Sequence, residues 1–189
     1  QQFNGSLYYW DTSSGLSSNL AARTEVSGAP TKSRFMLVSG DDRHVICFGC
    51  STFAGPKEPL LVRWSDQNDY TNWTPSVSST SGENTLSGGT EIVQGIRSRN
   101  QIAILTDRVL YGMRFTGPPF IFSFTELGTG CGGVSQHGGT DMDGTPVWMG
   151  FNNFFALFCN LQVPMDYSHS SRLSHGYCHS RFGYSVHRR

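Results

Sequence analysis

The chain has 189 residues with Lys+Arg and Asp+Glu balanced at 14 each, so no global field steers it toward nucleic acid or an anionic membrane. Twenty-two glycines, 13% aromatic and only 15% charged residues fit an all-β chain with many tight turns better than a helical one. No apolar run approaches the roughly 18 residues a membrane-spanning helix needs, and the first residues lack the basic-then-apolar layout of a signal peptide. The expectation is no membrane span.

In chain order, Asn4-Gly5 opens a turn before a strand at 6–10, and 11–30 is a Ser/Thr/Gly/Ala-rich loop with a short strand near 23–26. Residues 35–39 and 43–48, with Gly40-Asp41-Asp42 between them, read as a hairpin. A strand at 60–64 runs into a polar segment, and 70–89, rich in Ser, Thr, Gly and Asn, is expected to be the longest surface loop.

The densest apolar pattern lies in 91–124. Ile102, Ile104 and Leu105 precede the polar Thr106-Asp107-Arg108, and Val109, Tyr111, Met113 and Phe115 then alternate with Leu110, Gly112 and Arg114, a period-2 hairpin signature. Gly117-Pro118-Pro119 removes backbone donors and stops that strand, and 120–124 restarts an apolar run, so the unit is expected to be an antiparallel meander of three strands. A glycine-rich connector at 128–139 leads to strands at 146–149 and 154–159. Ile102, Ile104, Tyr111, Met113, Phe115, Val147 and Trp148 are the expected core.

Strands that open after polar turns recur about 57 and then 45 residues apart, near the roughly 40–50-residue spacing of propeller blades. The expected fold is therefore all-β, built from antiparallel meanders and partly propeller-like, with a β-sandwich as the alternative. Residues 1–166 would form this domain, and 167–189 a basic tail.

No HExxH, GxSxG, P-loop or dinucleotide fingerprint is present, and no catalytic residue, cofactor or metal is expected. Cys47-Phe-Gly-Cys50 has the spacing of half a zinc knuckle, but a completing pair would have to come from Cys178 with His175 or His179; the simpler reading is that Cys47 is a small core residue on a strand and Cys50 lies in the loop after it. Cys131 beside His137 lacks a third member for nucleophilic catalysis. Asp66, Asp69, Asp107, Asp141 and Asp143 all fall at strand ends or turns, where aspartate caps neighbouring amides. Trp64, Tyr70 and Trp73 could stack on a surface glycan, or fold back as a lid on their own sheet.

Several stretches carry a resemblance: 62–75, 95–107, 113–120 with its Gly117-Pro118-Pro119, Gly128-Thr-Gly-Cys131, Val147-Trp-Met149, and Phe154-Phe155. They resemble a tailed-bacteriophage structural protein of the tail tubular or nozzle type, over residues 1–166. The resemblance implies a virion protein, made in the host cytoplasm, that works by assembling with copies of itself and other tail proteins around a channel through which DNA leaves. It implies no enzymatic site. Arg97, Arg99, Arg108 and Arg114 are then the candidates for non-specific DNA contact at the lumen. Two departures stand against it: the chain is shorter than a complete nozzle subunit, and its alternating pattern stops near Tyr167. Residues 167–189 hold four Arg, four His and no acidic residue, and read equally as a basic arm, an altered reading frame after Asp166, or a strand that docks on a neighbour.

Overall fold

The computed structural model describes residues 5–9, 24–40 and 42–157. Among them there is no helix, and the strands form antiparallel sheets, as the composition implies. Thirteen strands are present among these residues: β1 (Tyr8–Tyr9), β2 (Thr24–Glu25), β3 (Ser33–Val38), β4 (Val45–Cys50), β5 (Leu61–Trp64), β6 (Gly82–Thr85), β7 (Ile92–Arg97), β8 (Ile102–Thr106), β9 (Val109–Phe115), β10 (Phe122–Thr129), β11 (Gly139–Met142), β12 (Thr145–Met149) and β13 (Phe154–Ala156). Within each sheet the strand order follows the sequence: β1-β2, β3-β4-β5-β6, β7-β8-β9-β10 and β11-β12-β13. Successive meanders with no crossover are the blade-like arrangement, although the described residues do not close a propeller.

The chain divides into two compact units. The first comprises Gln1–Ile92 with Gly117–Ile121, and the second Val93–Thr116 with Phe122–Arg189.

In the first unit, one core cluster gathers Leu7, Val26, Ala29, Cys47, Cys50, Leu61 and Trp73, with Tyr9 and Val45 packed against it. The short β1–β2 pair thus supplies apolar cover from far along the chain. Val26 N–H donates to Leu7 O at 3.0 Å and extends that pairing by one step. Phe35 stacks on its cross-strand partner Phe48 with ring centroids 4.6 Å apart.

The segment 70–89 is not a free surface loop. Trp73 is only 1% exposed, and β6 lies inside the segment, paired with β5 from Leu61↔Thr85 to Trp64↔Gly82. Sequence patterning misses β6 because Gly-Glu-Asn-Thr has no apolar alternation; its ladder hydrogen bonds, rather than a buried face, hold it to β5.

In the second unit, β8 and β9 pair from Ile102↔Met113 to Leu105↔Leu110. Cross-strand partners share a face, so Ala103, Leu105 and Leu110 lie on one side and Ile102, Ile104, Tyr111 and Met113 on the other, all buried. That is why β8 reads as a nearly unbroken apolar run: a central strand covered on both faces needs no polar side. The first of these faces meets Ile96, Cys131, Trp148 and Leu157 in a second core cluster. Trp148 Nε1 donates to Cys131 O at 2.8 Å, which satisfies the buried indole.

Three expectations are revised here. The central meander has four strands rather than three, β7 being the addition. β10 starts at Phe122 and runs on to Thr129, with a register shift between Glu126 and Gly128, and Phe120 is exposed before it, beyond the cis Pro118-Pro119 bond. Phe115 is exposed at the end of β9, edge-on to Phe122 at 5.7 Å, and is not a core residue; Val147 is half-buried.

Candidate functional site

The four candidate arginines do not converge on one place. Arg97 ends β7, Arg99 lies in the β7–β8 connection, and Arg114 is near the end of β9, with its Nε donating to Gln101 Oε1 at 3.0 Å. Because Ser98 N–H donates to Gln101 O at 3.0 Å and Ile102 faces Met113, these three share one end of the sheet. Arg108 sits in the β8–β9 turn at the opposite end, about 13 Å away along strands that rise ~3.3 Å per residue. All four are exposed.

Two of the four already face an acid. Arg99 reaches Asp143 Oδ1 at 3.0 Å and Arg108 lies 3.5 Å from Asp107 Oδ2. Such exposed pairs are weak and salt-sensitive, so neither charge is consumed by its partner. Ser98 Oγ donates to Gly144 O at 2.8 Å, which fastens the β7–β8 connection to the β11–β12 turn and keeps Arg99 beside Asp143.

The loop aromatics are placed by their own sheet. Trp64 Nε1 donates to Thr80 O and Trp73 Nε1 to Tyr70 O, each at 2.8 Å, and both indoles are buried. Neither offers a face to a sugar, which corrects the stacking expectation for these two. Tyr70 alone is exposed, and its ring lies 5.3 Å from that of Tyr9. The fold-back lid is the arrangement found.

Thr80, whose carbonyl accepts from Trp64, also belongs to a polar network that the sequence does not reveal. His44 is fully buried, with Nδ1 3.0 Å from Asp42 Oδ2 and Nε2 3.1 Å from Thr80 Oγ1. An acid, an imidazole and a hydroxyl in this order is the constellation that activates a nucleophile. Here the Thr80 hydroxyl donates to Asp66 Oδ1 at 2.5 Å and accepts from Gln67 N–H at 2.8 Å. Its proton therefore points at a carboxylate and not at the imidazole. The network works as a clasp that joins the β3–β4 turn, the turn after β5 and the segment leading into β6.

Asp66 is the hub of this clasp. Partial burial works against its charged form, but hydrogen bonds from the Thr80 side chain and backbone and from Gln67 N–H outweigh that and hold the carboxyl below its ordinary range. Asp69 is lowered by the Thr71 hydroxyl at 2.6 Å and the Thr71 N–H at 2.8 Å. Both aspartates thus serve as turn caps.

The cysteines follow the core reading. Cys47, Cys50 and Cys131 are buried free thiols. Cys50 lies on β4 itself rather than in the loop after it. Burial pushes the Cys47 thiol up to about 12 and raises Cys50 as well, so neither is poised as a thiolate ligand or nucleophile. Cys131 is sealed under Trp148, whereas His137 is exposed. Cys159, Cys178, His175 and His179, and with them the tail 167–189, lie outside the described residues.

Arg63 on β5 is the second residue that the sequence reading passed over. Its guanidinium is buried, donates to Ser51 O at 3.0 Å and Gly28 O at 3.1 Å, lies 3.6 Å from Glu83 through Nε, and sits 3.8 Å over the Phe53 ring. The available signal was an arginine enclosed by Leu61, Val62 and Trp64 in a strand with no polar face. No protein-family model and no curated protein matches the chain.

Proposed function

We propose that the chain is a structural component of a bacteriophage tail, a nozzle, hub or tube protein that acts by assembling with copies of itself and with other tail proteins around a DNA exit channel. The observation that supports this reading most directly is the run of consecutive meanders, four-, four- and three-stranded, that ends, among the described residues, at an edge strand built without protection. β13 is Phe154-Phe155-Ala156, with no charge, proline or bulge. An edge of that kind is a template for another chain. Val109–Phe115 is flanked on both sides by β8 and β10 and is not an edge; β10 is one edge of that sheet and carries Glu126.

The arginine placement adds to the reading. Three basic side chains at one end of a sheet, with no helix among the described residues to carry base-reading groups, suit sliding phosphate contacts better than sequence readout. Burial of Trp64 and Trp73 leaves the glycan alternative with Tyr70 alone, and no observation favours it. Particle imaging and mass measurement of the purified chain at micromolar concentration test the proposal. A symmetric multi-copy particle is the expected result; a monomer at every concentration, alone and mixed with other proteins of the same tail, would sink it.

A further inference from the structure

Among the described residues, the β11–β13 sheet is covered on one side only. Register places Gly139, Trp148 and Phe155 across from one another, and their side belongs to the second core cluster. The other side is formed by Thr140, Val147 and Ala156 in one row, with Met149 opposite Phe154 at one end and Met142 opposite Thr145 at the other. None of these is charged. Met142 is 62% exposed, Met149 42% and Phe154 61%, and Phe151 in the adjoining turn is 77% exposed.

An antiparallel sheet with one free face ordinarily alternates apolar-in with polar-out. β12 and β13 do not: Val147, Met149 and Phe154 occupy positions where Lys, Glu or Thr would be expected. β8 and β9 show how this chain writes a strand that is covered on both sides, and the outer face of β11–β13 is written in the same way.

We propose that this face is the contact surface for a second copy of the same chain, in the assembly put forward above and resting on that reading. Two features favour a copy over a different partner. The formally neutral chain, with 14 basic and 14 acidic residues, meets its own copy without net repulsion, and an uncharged face selects an uncharged one, leaving no sign for a charged partner to complement. The rim beside Met142 carries the oppositely charged pair Arg99 and Asp143, so it too can meet its own kind. The area is adequate as well. The four exposed side chains offer on the order of 500 Å2 of apolar surface, and with the flanking threonines two such surfaces approach the ~1,000 Å2 at which specific interfaces begin.

The test is the mass of the particle for the wild type and for Phe154→Lys, with melting temperature recorded for both. The substitution is at an exposed site, so the melting temperature of the dissociated subunit should hold while the assembly falls apart or weakens at least tenfold. A second variant reads the face without relying on that charge. In Thr140→Cys, the added thiol, counted against the wild-type background, should be shielded from maleimide at tens of micromolar protein and become reactive on dilution. An assembly that forms normally with Phe154→Lys, or an added thiol whose reactivity is independent of concentration, would overturn this surface and leave the assembly reading standing. A wild type that never assembles removes the assembly reading itself.

Discussion

At the scale of single residues, the sharpest stability expectations come from groups that have no water to return to. Ile104 has no exposed surface and lies between Leu105 and Ala103 on a strand covered on both faces. Ile104→Asp would bury an unpaired carboxylate, at a cost of at least ~4 kcal/mol, which is most of the stability of an ordinary domain. Loss of the cooperative thermal transition in circular dichroism is the expected outcome; an unchanged melt would mean that the strand is not buried. Asp66 gives the pH expectation. Its folded-state pKa is depressed, so its contribution to stability is fully present above the unfolded value of about 4 and is lost as pH falls through the folded one. Wild type should therefore melt above Asp66→Asn at pH 7, and the gap should close toward pH 2. A gap that stays constant across that range would assign the effect to packing instead of charge.

Legibility from the sequence differs element by element, for physical reasons. β3, β4, β5, β8, β9 and β12 were legible because burying a face forces apolar residues into a period of two, or into a continuous run where both faces are covered. β6 and β11 were not, since Gly-Glu-Asn-Thr and Gly-Thr-Asp-Met are held by ladder hydrogen bonds and bury little. The polar clasp around His44 escaped notice because its members, Asp42, His44, Asp66 and Thr80, are spread over 39 positions and meet only once β4, β5 and β6 are in register. The arginine candidates were legible as residues but not as a group, because sequence does not say which end of a hairpin each one reaches. The glycine-rich connector carries an element-scale prediction. A Cβ at Gly132 would run into the Asp107 carbonyl and the Arg108 N–H in the β8–β9 turn, against which Gly130 and Gly133 also hydrogen-bond, to Arg108 O at 2.8 Å and Thr106 O at 3.0 Å. Backbone cannot yield as a flexible side chain does, so Gly132→Ala should cost ~2 kcal/mol or more. Gly130→Ala, whose Cβ would meet open space but whose φ is +71°, should cost only ~1 kcal/mol of backbone strain. Chemical denaturation of the two variants side by side checks the order; a reversed ranking would mean that the connector is not seated against the turn.

At the scale of the whole molecule, the proposed assembly and the proposed DNA passage would make separable demands on the surface. Assembly is assigned to uncharged places, the β13 edge and the outer face of β11–β13, and DNA contact to arginines at strand ends. Phosphate contacts release counterions, so affinity should fall with salt roughly in proportion to the number of phosphates engaged, and should not depend on base sequence. Arg97, Arg99 and Arg114 share one end of the β7–β10 sheet, whereas Arg108 lies at the other, so a duplex running past the first end would engage three charges and miss the fourth. Replacing all three with Gln should lower non-specific duplex binding by the assembled particle and flatten its salt dependence by about three charges' worth per subunit engaged. Arg108→Gln should leave both nearly unchanged. All four are exposed, so the melting temperature should move little in either variant, and particle mass should change little because Arg97, Arg108 and Arg114 lie off the proposed contact face and Arg99 sits only at its rim. Fluorescence anisotropy with two duplexes of unrelated sequence, from about 50 to 200 mM salt, reads the result. Equal losses in the triple variant and in Arg108→Gln would show that the charge acts through the general field of the particle and not from one end of the sheet. A triple variant that binds like wild type would remove these arginines from the proposed channel while leaving the assembly proposal untouched.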